Sequence, residues 1–298
     1  MEKKYKNKKE VRKIRWLLFG VALSLFASDV IYQAAVSFMS NPPHDYVRTA
    51  VVEIAAFALP FLIYGFSRTE KFSSSDLRLS PFEAKKGIYV VLLGISGQFV
   101  MMLLNLPIEY FFQKVLQIGC SGGYYVPKSL STVLGGIVSV CIIPAIMEEL
   151  CMRGLVFSTY NKLGTKTAYL FTVVIFALFH GKPEELLGYI FMGAMAVFVM
   201  LRCNSLYAAV IYHTVSNLTA MCFSLAAFKI VSHIWLLFGF MGILFVVAFL
   251  KFYMSFSPEG TVKGKREKRV FFKSLFSPPI ILSIGVVVLR YWLLNIRN

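Results

Sequence analysis

Residues 129–156 read SLSTVLGGIVSVCIIPAIMEELCMRGLV, an uncharged run from Leu130 to Met147 followed at once by two adjacent glutamates. At about 1.5 Å per residue such a run is nearly long enough, as a helix, to cross the roughly 30 Å hydrocarbon core of a bilayer. Comparable apolar runs recur on both sides of it, at roughly 16–39, 47–66, 87–108, 166–181, 185–202, 205–227, 231–252 and 276–295. Together they predict an all-α, polytopic transmembrane helical bundle of about 8–9 spans. The composition agrees: 57% of the 298 residues are apolar and 15% charged. A soluble domain is nearer 45–50% and about 25%. A mean hydropathy of +0.68 excludes disordered, collagen-like and disulfide-scaffold classes along with ordinary soluble globules.

A net charge of +16 would suit a nucleic-acid partner, but the basic residues sit between the apolar runs. With a cytoplasmic N-terminus, the inside segments hold 22 of the 31 Lys and Arg and the outside segments six. The other three, Arg153, Lys251 and Arg290, lie within spans. That asymmetry predicts a multi-pass protein with its N-terminus inside and, for nine spans, its C-terminus outside. The start, MEKKYKNKKEVRKIR, leads into apolar sequence without a small-residue cleavage site and reads as an uncleaved first span. The basic stretches KFSSSDLRLSPFEAKKG and PEGTVKGKREKRVFFK read first as topogenic charge and second as contacts for anionic lipid. Cys120, Cys141, Cys151, Cys203 and Cys222 are scattered without metal-ligand or disulfide spacing.

Charged groups inside a bilayer cost at least about 2.5–3.5 kcal/mol each, so each needs a reason. Those within the runs are Asp29, Glu53, Glu148, Glu149, Arg153, His180, His213 and Arg290. Arg290, late in the last run, can snorkel outward, and Asp29 and Glu53 read as residues paired with polar neighbours. The other five gather in the middle third of the chain. Glu149 and Arg153 are i,i+4 and share a helix face, while Glu148 is turned about 100° away. One carboxylate can thus be held by arginine while the other stays available for proton transfer. Phe176 and His180 are one turn apart on the next run, as are His213 and Asn217 on a later one. Counted from the assumed cytoplasmic ends, the three sets lie roughly 12–21 Å deep. A second pair, Glu184-Glu185, follows Pro183 at a helix start, where acids suit the positive terminus, and reads as a cap or outside-surface feature.

In this order EExxxR (Glu148, Glu149, Arg153), FxxxH (Phe176, His180) and HxxxN (His213, Asn217) resemble the CPBP family. These are the CAAX-protease and bacteriocin-processing, or Abi, intramembrane endopeptidases, which include the type II CAAX prenyl endopeptidases. The resemblance covers roughly residues 129–222. It implies accessory helices over 1–128 with a basic cytoplasmic N-terminus, a catalytic core over 129–227, and C-terminal accessory helices with a basic loop over 228–298. It further implies that Glu148 and His180 activate water, that His213 and Asn217 face the scissile carbonyl and its oxyanion, and that Glu149 with Arg153 orient these groups. Which glutamate is the base stays open in the sequence. So does the metal: His180, His213 and Glu148 are a donor set for Zn, HExxH is absent, and the resemblance also admits a metal-free mechanism.

The implied partners are the lipid bilayer and a membrane-associated peptide or protein substrate, CAAX-type or leader/bacteriocin-type, with no nucleic acid. The Lys-rich composition suggests a bacterial plasma membrane. Serine catalysis of the rhomboid type lacks its GxSxG, and an aspartyl mechanism lacks a second intramembrane Asp. Two further readings are open at this point: a bacteriocin-immunity or membrane scaffold protein acting without catalysis, and a proton-coupled transporter using Asp29, Glu53 and the histidines as a relay.

Overall fold

The computed structural model describes residues 2–40, 43–67, 73–117, 129–226, 233–263 and 267–296. Cys120, Lys128, Lys229 and Arg297, which enter the cysteine and charge patterns above, lie outside them. Ten helices carry the fold: α1 Glu2–Ser37, α2 Asp45–Ser67, α3 Ala84–Val115, α4 Leu130–Asn161, α5 Thr165–Phe179, α6 Pro183–Cys203, α7 Leu206–Ala226, α8 Ile234–Ser255, α9 Glu267–Leu275 and α10 Pro278–Ile296. Among the described residues there is no strand, and the chain is an all-α, multi-pass membrane protein.

The count of spans differs from the nine apolar runs. Among the described residues seven helices are long and apolar enough to cross a membrane, and an eighth crossing arises if α9 and α10, bent by 49°, act as one. The run at 166–181 yields only the 15 residues of α5, about 22 Å of helix, short of the hydrocarbon thickness. An outward C-terminus, which rested on nine crossings, loses that basis.

The contacts divide the chain into two compact units. The first comprises Met1–Arg78, Ile146–Gly181 and Thr261–Asn298, and the second Leu79–Ala145 and Lys182–Gly260. In the first unit α1 packs on α2 and on α10, and α5 packs on α9 and α10. In the second, α3 is the hub, in contact with α6, α7 and α8. Its Gly94 permits the approach to α7: a Cβ there would lie 2.9 Å from Val215 and 3.1 Å from the Tyr212 carbonyl.

Local sequence explains how α4 starts and how it winds. Ser129 caps it: its hydroxyl accepts from the Thr132 amide while Thr132 Oγ1 accepts from the Ser129 amide. The helix then widens into π-helical turns twice, over Ile137–Ile142 and Leu150–Phe157. Such turns inside α-helices concentrate at functional sites. Helix α6 closes on Asn204 in the left-handed conformation (φ 48°), which asparagine tolerates better than most residues.

Candidate active site

In the first unit the second half of α4 and all of α5 bring four of the expected residues together. Arg153 Nη1 donates to Glu149 Oε1 at 2.9 Å, and both side chains are wholly inaccessible. The i,i+4 pairing expected for these two is what the structure contains. The Arg153 guanidinium also lies 4.4 Å from the centre of the Phe176 ring, a cation–π contact strengthened by desolvation. The opposite partner of Phe176 is the His180 ring, 4.6 Å away and tilted by 58°. The phenylalanine thus links the ion pair on α4 to the histidine that ends α5. The sequence places Phe176 one turn from His180 but gives no sign of Arg153 beside it.

His180 is oriented by its own helix as well. Its Nδ1 lies 2.8 Å from the Phe176 carbonyl oxygen. A carbonyl only accepts, so Nδ1 carries the hydrogen, and in the neutral ring Nε2 is the basic nitrogen. That Nε2 faces Glu148 Oε2 at 3.7 Å, longer than a direct hydrogen bond. Both side chains keep some access, 20% for His180 and 17% for Glu148. Among the described residues Glu148 Oε2 has no hydrogen-bond partner. The two glutamates are therefore distinguished by position: Glu149 serves the arginine and Glu148 faces the histidine. Gly181 follows with φ +65°, and a Cβ there would lie 2.7 Å from Val287 Cγ1 on α10. Only glycine suits both the turn and the space.

His213 and Asn217 belong to the second unit. His213 is buried at 2% exposure. Asn217 Nδ2 donates to the Val140 carbonyl at 3.3 Å. Asn217 is marked in the sequence by its four-residue spacing from His213, but its pairing with Val140 is not. An amide nitrogen has two hydrogens, so Asn217 keeps a second donor. Beside it, Ser216 Oγ donates to Gln98 Oε1 at 2.6 Å and fixes α7 on α3.

The other intramembrane charges are also placed. Asp29, 3% exposed, accepts from Arg48 at 2.6 and 3.1 Å and from Arg290 at 3.3 Å. Pairing of Asp29 is as expected. Arg290, expected to snorkel outward, turns instead to this buried carboxylate, as a second cation beside Arg48. Glu53 on α2 is within electrostatic range of both Arg290 and Glu148. It adds a third carboxyl near the Glu148–His180 pair. Of the second acidic pair, Glu185 meets Lys182 at 2.9 Å at the start of α6. Glu184 is fully buried rather than at a surface.

A catalytic zinc site uses three protein ligands. Among the described residues no group of three or more His, Cys, Asp or Glu side chains is arranged to hold a metal ion. The described cysteines are free thiols, buried at Cys141, Cys151 and Cys203 and exposed at Cys222.

Residues 130–219 match a family model described as Rce1-like, type II CAAX prenyl endopeptidase Rce1-like. The matched segment contains all three motifs and supports the resemblance drawn from them. No curated protein and no solved structure gives a match.

Proposed function

We propose that the chain is an intramembrane endopeptidase that hydrolyses a peptide bond of a membrane-associated substrate with a water activated by Glu148 and His180. The observation that carries this reading is the pairing of Glu148 Oε2 with His180 Nε2 at 3.7 Å, with the histidine's other nitrogen committed to the Phe176 carbonyl. A water donating to both acceptors spans that separation. Glu148 takes its proton as the oxygen attacks the scissile carbonyl, and the same proton is then delivered to the leaving amine. Glu149 and Arg153, through the Phe176 ring, hold the imidazole. By the family resemblance His213 and the second N–H of Asn217 stabilise the oxyanion, a contribution that in other enzymes is worth about 2.7–4 kcal/mol per donor.

The family match supports intramembrane proteolysis of the CAAX type in general. We take the substrate to be a CAAX-type or leader/bacteriocin-type polypeptide, the setting to be a bacterial plasma membrane, and the N-terminus to face the cytoplasm. The orientation rests on the 22-to-6 asymmetry of Lys and Arg between the two sets of loops.

The test compares peptide termini in membranes of cells holding the wild-type chain or Glu148→Gln at equal levels, with and without a chelator. Termini present only with the wild type establish cleavage and identify the substrate. If wild-type termini persist in Glu148→Gln, the glutamate mechanism is wrong. Identical profiles with an immunity phenotype intact would transfer the reading to a non-catalytic protein.

A further inference from the structure

Between α1 and α2 runs an apolar groove with a cavity volume of about 600 Å³, lined along its length by Trp16, Leu17, Leu23, Leu59 and Ile63. Gly20 and Pro60 face each other across its floor: a Cβ on Gly20 would lie 3.5 Å from the proline ring, in ordinary contact with it. At one end stand two cations, Arg12 and Lys13. Lys13 Nζ bonds the Ser67 carbonyl at 2.7 Å and Glu10 Oε1 at 3.1 Å, tying the mouth of the groove together. Arg12 is exposed, and among the described residues its guanidinium makes no hydrogen bond or ion pair.

We propose that this groove binds one anionic phospholipid, its phosphate on Arg12 and Lys13 and one acyl chain along α1 past Trp16. Three observations fix the occupant. Arg12, exposed beside a lysine already paired with Glu10, suits an anion there, and the apolar wall demands a hydrocarbon beyond it. The length supplies the third: from Arg12 to Leu23 the helix rises about 16 Å, half the hydrocarbon thickness of a bilayer and so the depth of a single leaflet. Trp16, half exposed, stands one turn below the cations, at the level where tryptophan anchors membrane proteins. A cation near the headgroups contributes a factor of about five in affinity for anionic lipid. With Lys13 countered by Glu10, the net gain is that of one cation, roughly fivefold over a zwitterionic lipid with the same chains. The site is independent of Glu148 and His180, and peptidase activity is not needed for it.

The chain has three tryptophans, Trp16, Trp235 and Trp292. The full-length protein with Trp235→Phe and Trp292→Phe therefore reports from the groove alone. It is reconstituted in phosphatidylcholine vesicles containing a minor fraction of phosphatidylglycerol or phosphatidylcholine brominated on the acyl chains. We expect Trp16 to be quenched at a roughly fivefold lower fraction of the brominated phosphatidylglycerol, and Arg12→Gln with Lys13→Gln to remove the difference. Equal quenching curves for the two lipids, or a preference that survives both substitutions, overturn the proposal. Native mass spectrometry of the unsubstituted chain gives a check free of variants. Preferential retention of one phosphatidylglycerol supports the site, and equal retention of both lipids refutes it.

Discussion

Replacing Arg153 by methionine removes the only charge that Glu149 meets at hydrogen-bond distance on its own helix, with both side chains wholly inaccessible. No solvent is at hand to screen the carboxylate, so the cost is that of breaking a buried pair, about 3–5 kcal/mol. The lost contact with Phe176 at 4.4 Å falls within that figure. At about 2 °C per kcal/mol for a chain of this size, the midpoint of thermal unfolding should fall by roughly 6–10 °C. Cys151 is fully buried; with the other four cysteines replaced by serine, a thiol-reactive dye in detergent reports when this part of α4 opens. Adding Glu149→Gln removes the orphaned charge and should return most of the lost stability, since a buried ion pair can often be replaced at little net cost. Cleavage should not recover in the double variant, because Phe176 and His180 still lack the guanidinium. A single variant as stable as the wild type, or a double variant as unstable as the single, would refute this account of the pair.

Four shorter expectations follow from other contacts. Asn217→Ala strips the Val140 carbonyl of its side-chain donor and should cost about 1–3 kcal/mol, read as a drop in the thermal midpoint, with cleavage lost as well. Gly181→Ala forces a Cβ against Val287 in a left-handed turn; a loss of about 1–3 kcal/mol is expected, and an unchanged midpoint would contradict the geometry. Asp29→Asn leaves Arg48 and Arg290 facing a neutral amide, and unfolding should come several degrees earlier, with wild-type stability restored only by a carboxylate. Chelator treatment of the purified protein should leave cleavage unchanged; inactivation reversed by Zn would reinstate His180, His213 and Glu148 as ligands.

What the linear sequence discloses here is whatever repeats with the period of a helix. The apolar runs betray the membrane class, and the four-residue spacing of Glu149 and Arg153 already contains their ion pair. The 100° offset of Glu148 likewise separates its environment from that of its neighbour. Contacts between helices obey no such period. Arg290 and Asp29 are 261 positions apart, and nothing in either span marks the other as its counter-charge. Phe176 looks like one more lipid-compatible aromatic until Arg153 is seen against its face. Span counting fails where an apolar stretch is too short, as in α5, or bent, as at α9 and α10, because hydropathy measures composition and not straight length.

The π-helical turns of α4 carry a consequence for how this segment can change. Pairing each amide with the carbonyl five residues back, rather than four, accommodates one extra residue per widened turn. Deleting a single residue within Leu150–Phe157 would let the helix relax to ordinary winding. Because the widened turn had absorbed that extra residue, the segments on either side would keep their mutual orientation, provided the residue removed is not Arg153. The widened turn is thus a store for one residue: outside Arg153, the loss of one residue over 150–157 should be borne better than the gain of a further one, which would turn everything beyond it by about 100°.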